Sequence, residues 1–248
     1  MIVIAKRKKD TADVLLDLRK KFPFASESDL QRKAHEKVEK SFAKIKREYS
    51  GFTVIDLTSK SKAYIGPTRT DDAAASGLPA VMFSPFYPHG GIPVPGCDGV
   101  TATCVEAVWQ GLKVFEGEGI DFTTFANATG RNLKRTVRRL GNPLGHRYFE
   151  QLLGYYDARV NIYLPTYKFV LDNIKPVNTM AGWLRNRVSK GENFIFFDYN
   201  TNGDYRNLKS PLSHASLVRD YVMGRYPDGS RPAATYDSAP SPSLFPGL

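Results

Sequence analysis

The stretch Thr103-Cys-Val-Glu-Ala-Val-Trp-Gln-Gly-Leu-Lys-Val-Phe-Glu116 decides how this chain is read. Wound as a helix at about 100° per residue, it sets Val105, Val108, Leu112 and Phe115 on one side, and Glu106, Gln110 and Lys113 within an arc of about 60° on the other. The first side is a core face. The second is either a solvated row or a carboxylate, an amide and an ammonium aimed at a ligand. Trp109 flanks that row, and the segment Phe83-Ser-Pro-Phe-Tyr-Pro-His-Gly-Gly-Ile-Pro-Val-Pro-Gly96 leads into it. Proline fixes φ, so a loop this rich in proline has little freedom to wander. A stiff loop above a polar helical face is the outline of a pocket.

Outward from that helix, the pattern predicts an α+β fold, predominantly helical with a few short strands. Residues 2–5 read as a strand and 11–22 as a helix with Val14, Leu15 and Leu18 inward. A second, Lys- and Arg-rich helix over 28–49 keeps Leu30, Ala34, Val38, Phe42 and Ile45 at helical spacing, so its charge reads as a solvated face. Residues 52–57 alternate like a strand, and 67–80 read as a surface loop. Beyond Glu116 the pattern gives a short helix over 120–128 and a basic one over 131–139. After a turn at 141–146 come helices over 158–173 and 177–188, a strand over 193–198 and a helix over 211–223. The expected organisation is an N-terminal extension (1–75) packing on a main domain (76–224), followed by a flexible Pro- and Ser-rich tail (225–248).

A chain of 248 residues with 42% apolar content can bury one substantial core. Its formal charge of +10 favours a phosphate-bearing partner, DNA or RNA or a nucleotide, or an acidic surface. Two cysteines, Cys97 and Cys104, make neither a disulfide framework nor a cysteine-rich zinc site, which points to the cytoplasm. No run approaches the roughly 20 apolar residues of a membrane span, and the first residues do not have the order of a signal peptide. No membrane partner is expected, and the sequence carries no signal of oligomeric state.

Arg131, Lys134, Arg135, Arg138 and Arg139 put five cations in nine residues. Like charges at helical spacing repel, so the cluster reads as a phosphate-binding face as readily as a solvated one. The loop Asp198-Tyr-Asn-Thr-Asn-Gly-Asp204 imitates the start of a calcium loop but carries Lys209 where the bidentate glutamate belongs. It fits better as a polar loop closing a pocket, with Asp198 either functional or a turn-forming aspartate and Asn200 beside it. His89 sits in Pro-His-Gly-Gly, where glycine lets backbone approach a ligand, whereas His146 and His214 read equally as structural. No His-x-x-x-His pair, nucleophile elbow, P-loop or dinucleotide fingerprint is present, and neither a metal nor a cofactor is expected.

Phe83-Ser-Pro-Phe-Tyr followed by Val105-Glu-Ala-Val-Trp-Gln-Gly-Leu-Lys113 resembles the signature of the NADAR (YbiA-like) superfamily, as a divergent branch of uncharacterised bacterial and phage proteins. The likeness spans roughly residues 80–224 and includes the Phe196-Phe-Asp198 strand end, where relatives carry a tryptophan before the aspartate. It implies an N-glycosidase that cleaves a ribose C1–nitrogen bond in an ADP-ribosylated or otherwise modified nucleotide, free or within nucleic acid, or in riboflavin-type metabolism. It assigns Glu106 and Lys113 to an active-site helix and Asp198 to a closing loop. Phe86, Tyr87, His89, Trp109, Gln110, Phe196 and Asn200 then become candidates for binding the base and sugar, because aromatic rings stack on any nucleobase. A non-catalytic nucleic-acid or ADP-ribose binding protein that keeps the pocket shell is the rival expectation.

Overall fold

A computed structural model describes residues 1–6, 9, 11–57, 80–129, 132–135 and 137–227, and it is an α+β fold. The expected loop over 67–79 and most of the expected tail lie outside the described residues.

The strand run Asn-Phe-Ile-Phe-Phe-Asp is the organising element. This strand, β8 (Asn193–Asp198), lies between β1 (Ile2–Lys6) and β2 (Phe52–Asp56), parallel to both, with Phe196 opposite Ile4 on one side and Ile55 on the other. A strand covered on both faces needs no polar alternation, which is why this run is apolar nearly throughout. Its side chains still alternate. Phe194 and Phe196 enter the main core, while Ile195 and Phe197 pack with Ile45 of helix α2 (Glu27–Glu48). Helix α1 (Thr11–Lys21) closes against α2 through Val14, Ala34 and Val38, and α2 begins at Ser26, whose hydroxyl accepts from the Asp29 amide at 3.2 Å.

The decisive stretch folds differently from its expected single helix. A 3-10 turn (Ala80–Phe83) and a two-stranded ribbon, β3 (Ile92–Pro93) with β4 (Thr101–Ala102), lead into helix α3, which covers only Val105–Gly111. Cys104 caps it, its sulfur accepting from the Ala107 amide at 3.3 Å. The helix ends at Gly111, a position that admits no side chain because the Phe125 ring lies against it: a Cβ there would stand 2.2 Å from Phe125 Cε1. The chain then enters β5 (Lys113–Val114), antiparallel to β6 (Gly145–Tyr148), which pairs with β7 (Gln151–Leu153). Val105, Val108, Leu112 and Phe115 are all buried, the first two on the helix and the last two beyond its end, and Lys113 belongs to a strand and not to the row of Glu106 and Gln110.

The expected helix over 120–128 is one turn, α4 (Phe122–Phe125), started by Asp121. Of the described residues in the expected basic helix, those from Val137 on are helical (α5, Val137–Leu140); residues 132–135 run irregularly, with Asn132 at φ 54°, Leu133 and Arg135 buried, and Asn132 and Lys134 exposed. Further on, α6 (Tyr155–Ala158), a π-helical turn (Arg159–Tyr163) and α7 (Leu164–Asn173) run as one continuous rod. It is followed by α8 (Lys175–Ser189) and, after β8, by α9 (His214–Val222). Among the described residues no helix is long and apolar enough to cross a membrane.

Candidate active site around Glu106

Glu106 enters α3 with its amide bonded to Pro85 O at 2.9 Å, so the Phe83–Gly96 loop is stitched to the first turn of the helix. Its carboxyl is only 9% exposed. One helical turn on, Gln110 donates through Nε2 to Glu106 Oε1 at 2.7 Å and accepts through Oε1 from the Arg135 amide at 3.2 Å. The Gln110 amide is therefore oriented by both neighbours, and its NH2 group faces the carboxylate. Burial pushes the Glu106 carboxyl above its ordinary value, while the Gln110 bond and the charges of Lys113 and Lys134 pull it back. Burial likewise holds the Lys113 ammonium below its usual value, against the attraction of Glu106 and with the repulsion of Lys134 and Arg135. The helix end thus moved Lys113 off the row without removing it from the electrostatic reach of Glu106.

An aromatic wall stands beside this pair. Trp109 has the His146 ring against its face, centroids 3.9 Å apart, and meets Tyr155 and Tyr163 edge-on at 5.8 and 5.6 Å. One face of Trp109 is therefore covered by the chain itself. His146 is fully buried, and neither ring nitrogen has a hydrogen-bond partner among the described residues. Burial, helped by the Lys113 charge, pushes its pKa down to about 3, so the ring is neutral. Tyr163, set by the π-helical turn, has its hydroxyl held far above the usual phenol value by burial first and then by the charges of Glu106 and Asp198. It stands within electrostatic reach of both carboxylates.

Asp198 is 1% exposed, and its oxygens are occupied by the chain. Oδ1 accepts from the Tyr199 amide at 2.6 Å; Oδ2 accepts from Ser213 Oγ at 2.6 Å and the Ala215 amide at 3.2 Å, with His214 Nδ1 at 3.2 Å. His214 also reaches Leu57 O through Nε2 at 2.7 Å. The structure uses this carboxylate to fasten the end of β8 to the start of α9, which is the turn-forming alternative. Asn200 does similar local work, accepting from the Asn202 amide at 3.0 Å.

Phe196 cannot stack on a ligand: it is fully buried in the core beside Phe194, a correction that follows from β8 being covered on both faces. Phe86 and Tyr87 are half-buried against the main core. His89 spans its own loop, Nε2 lying 2.9 Å from Met82 O with the ring against Tyr87 at 4.8 Å.

The basic cluster divides. Arg131 and the Arg138 side chain lie outside the described residues, and Lys134 and Arg139 are exposed. Arg135 is not a surface cation at all. It is 6% exposed, stacks over the Phe115 ring at 4.9 Å, donates through Nη1 to Lys113 O and lies 3.6 Å from Glu118. Among the described residues of the cluster, Lys134 and Arg139 are on the surface and Arg135 is not.

The sequence reading missed Arg159. Only 2% exposed, it donates to Tyr205 O, Asn207 O and Ser210 O at 3.1, 2.8 and 3.2 Å, and to Tyr155 Oη at 2.9 Å. It holds the loop after Asp198 from within. The available signal was one cation in an otherwise uncharged run from Ala158 to Tyr167.

Among the described residues no group of three or more His, Cys, Asp or Glu converges as a metal site. No curated protein and no solved structure matches the chain. Residues 37–218, which include α3, the Gln110–Arg135 link and β8, match the Family of unknown function (DUF6939), and the chain belongs to that family.

Proposed function

We propose that the chain is a hydrolase of N-glycosidic bonds, acting on an ADP-ribosylated or otherwise modified nucleotide in the cytoplasm. The observation that carries this reading is Glu106: a buried carboxyl, held by Gln110, within electrostatic reach of an ammonium whose charge is itself disfavoured by burial. The NADAR resemblance of the same helix supports it. In such a reaction the C1–nitrogen bond breaks with its electron pair leaving on nitrogen, and positive charge builds on the sugar. Water then adds to C1 and gives up a proton. Glu106 stabilises that charge or takes the proton, and its position in a dry site strengthens both effects. Lys113 binds a phosphate or polarises a sugar oxygen. With Phe196 in the core, base stacking falls to the edge of Trp109 and to Phe86 and Tyr87.

A specific observation favours the rival reading, a non-catalytic nucleotide-binding protein: the second carboxylate, Asp198, is fully engaged by the chain's own donors. Incubation with ADP-ribosylated nucleotides and nucleic acid, with mass spectrometry of released sugar and base, separates the two. Glu106→Gln is expected to lower turnover by about 10²–10⁴-fold, the range of a removed acid–base group, while binding persists. Undiminished turnover in that variant removes Glu106 from the chemistry, and binding without turnover in the wild type favours the rival.

The pH profile follows from the same geometry. Glu106 acts in its ionised form, and burial raises its pKa, so activity is expected to climb with pH through an inflection above the ordinary carboxylate range. Glu106→Gln should lose that inflection.

A further inference from the structure

Beside the Glu106 helix lies a cavity of about 430 Å³, lined among others by Asp121, Thr124, Asn132, Lys134, Arg135 and Arg139. This volume is within the range of about 300–1,000 Å³ of small-molecule pockets. Three cations and one carboxylate line it. The carboxylate is already committed: Asp121 Oδ1 accepts from the Thr123 amide and hydroxyl at 3.0 and 2.6 Å, and Oδ2 from the Thr124 hydroxyl at 2.8 Å. Among the described residues Arg135 is committed only in part, through Nη1 to Lys113 O and with Glu118 3.6 Å from Nη2. The Arg135 side chain is 4% exposed, yet its Nε is buried with no hydrogen-bond partner among the described residues, the Asp121 carboxylate standing 3.9 Å away. A buried guanidinium nitrogen left without an acceptor is costly unless a ligand supplies one.

We propose that this cavity is an anion subsite that takes the phosphate-bearing end of a small molecule. Lys134 and Arg139 supply charge from the rim, and Arg135 supplies a fixed donor from the wall. The guanidinium is immobilised by Lys113 O and the Phe115 ring, so little of its freedom remains to be lost on binding. The subsite is one side chain away from Glu106, since Gln110 bonds both the Arg135 amide and the Glu106 carboxylate. The Lys134 charge acts on Glu106 as well as on the cavity. Seating the reacting bond at Glu106 with the phosphate here rests on the glycosidase reading; the binding of phosphate does not. A partly open cavity of this size, with its main cation in the wall, suits a discrete phosphate, whereas a polymer backbone needs cations spaced along a track.

Ribose 5-phosphate, ribose and pyrophosphate are suitable probes, because none has an N-glycosidic bond to cleave. In titration calorimetry, ribose 5-phosphate and pyrophosphate should bind saturably and ribose at least about tenfold more weakly, as expected for charge-assisted hydrogen bonds. Lys134→Ala with Arg139→Ala, both exposed positions, should weaken ribose 5-phosphate about tenfold and leave ribose unchanged. Asp121→Asn removes the opposing charge and should tighten the phosphate several-fold, a change of sign that mere structural damage would not produce. Absence of saturable phosphate binding overturns the proposal, and so does binding that ignores both variants. A single-stranded oligonucleotide that binds far more tightly than ribose 5-phosphate, with steep salt dependence, overturns it in favour of a polymer groove. Glu106→Gln should bind ribose 5-phosphate like the wild type. In the wild type, saturable phosphate binding without turnover on any N-glycosidic substrate is failure of the glycosidase alone, and turnover without phosphate binding is failure of the subsite alone.

Discussion

His146 is the residue whose environment is hardest to reconcile with simple packing. A neutral imidazole carries one donor and one acceptor, and here both nitrogens are buried without partners among the described residues. Each unmet polar atom costs about 1–3 kcal/mol, whereas an apolar replacement of similar shape costs little or is stabilising. His146→Phe is therefore expected to keep or raise the thermal midpoint at neutral pH. The acid side gives a sharper test. The unfolded chain protonates this ring near pH 6.5, the folded one only at about 3. Protons thus favour the unfolded state over that interval. Stability should fall by up to about 1.4 kcal/mol per pH unit as pH drops from 6.5 towards 3, and none of this loss arises above 6.5. Denaturant unfolding at several pH values should show a shallower acid slope for His146→Phe. Equal slopes would mean that the ring is protonated or solvated in the folded protein.

At the scale of the element, the Phe83–Gly96 loop is stiff for reasons beyond its prolines. Its floor is tied by Tyr167, whose hydroxyl donates to Phe83 O at 2.5 Å, and its end is wedged by Gly96. That glycine has φ 71°, and a Cβ on it would stand 2.3 Å from the Phe149 backbone nitrogen. Backbone cannot yield as a flexible side chain does. Gly96→Ala is expected to cost about 2–4 kcal/mol, from the left-handed φ and the forced displacement of the β6–β7 turn, and should show as a lower denaturation midpoint. A neutral result would require the turn to shift freely. The same closeness explains what sequence patterns did and did not reveal. Apolar spacing placed the buried side of α3, and the composition of residues 193–198 placed β8, because both are local statements about burial. The end of α3 and the reason for Gly111 were not legible: nothing near Gly111 in sequence announces that the chain turns into β5 there or that Phe125 will occupy the space beside it. Nor was the burial of Arg135, which depends on the single stretch that holds Gln110, Lys113 and Phe115 coming to lie against it. Glu106 with Gln110 was readable as a helical pair; the return of Lys113 to their neighbourhood depended on a strand.

At the scale of the whole molecule, β8 ties the two ends of the chain together. Its partners come from residues 2–6 and 52–56, which lie 192 and 141 residues before the positions they pair with, so the centre of the parallel sheet requires the first 56 residues. The N-terminal amine adds to this, donating to Glu192 O at 2.8 Å at the mouth of β8. The matched family segment begins at residue 37, inside α2, and so takes in β2 and β8 but not β1. One flank of the central strand therefore belongs to the common body and the other to the chain preceding it. A protein cut to residues 76–248 would leave β8 with both edges unpaired and the Ile195 and Phe197 face stripped of Ile45 and α2. Open edges beside an apolar strand recruit other chains, and that strand also carries Asp198, which anchors α9. The truncated chain is expected to be insoluble, or to lack a cooperative thermal transition by circular dichroism and calorimetry. A chain lacking only residues 1–6 keeps β2 on one edge and should fold with a lowered midpoint. Loss of one neighbour against loss of both is the comparison that matters: if the 76–248 chain instead melts cooperatively as a soluble monomer, the first 75 residues are an appendage and the sheet is not the organising element.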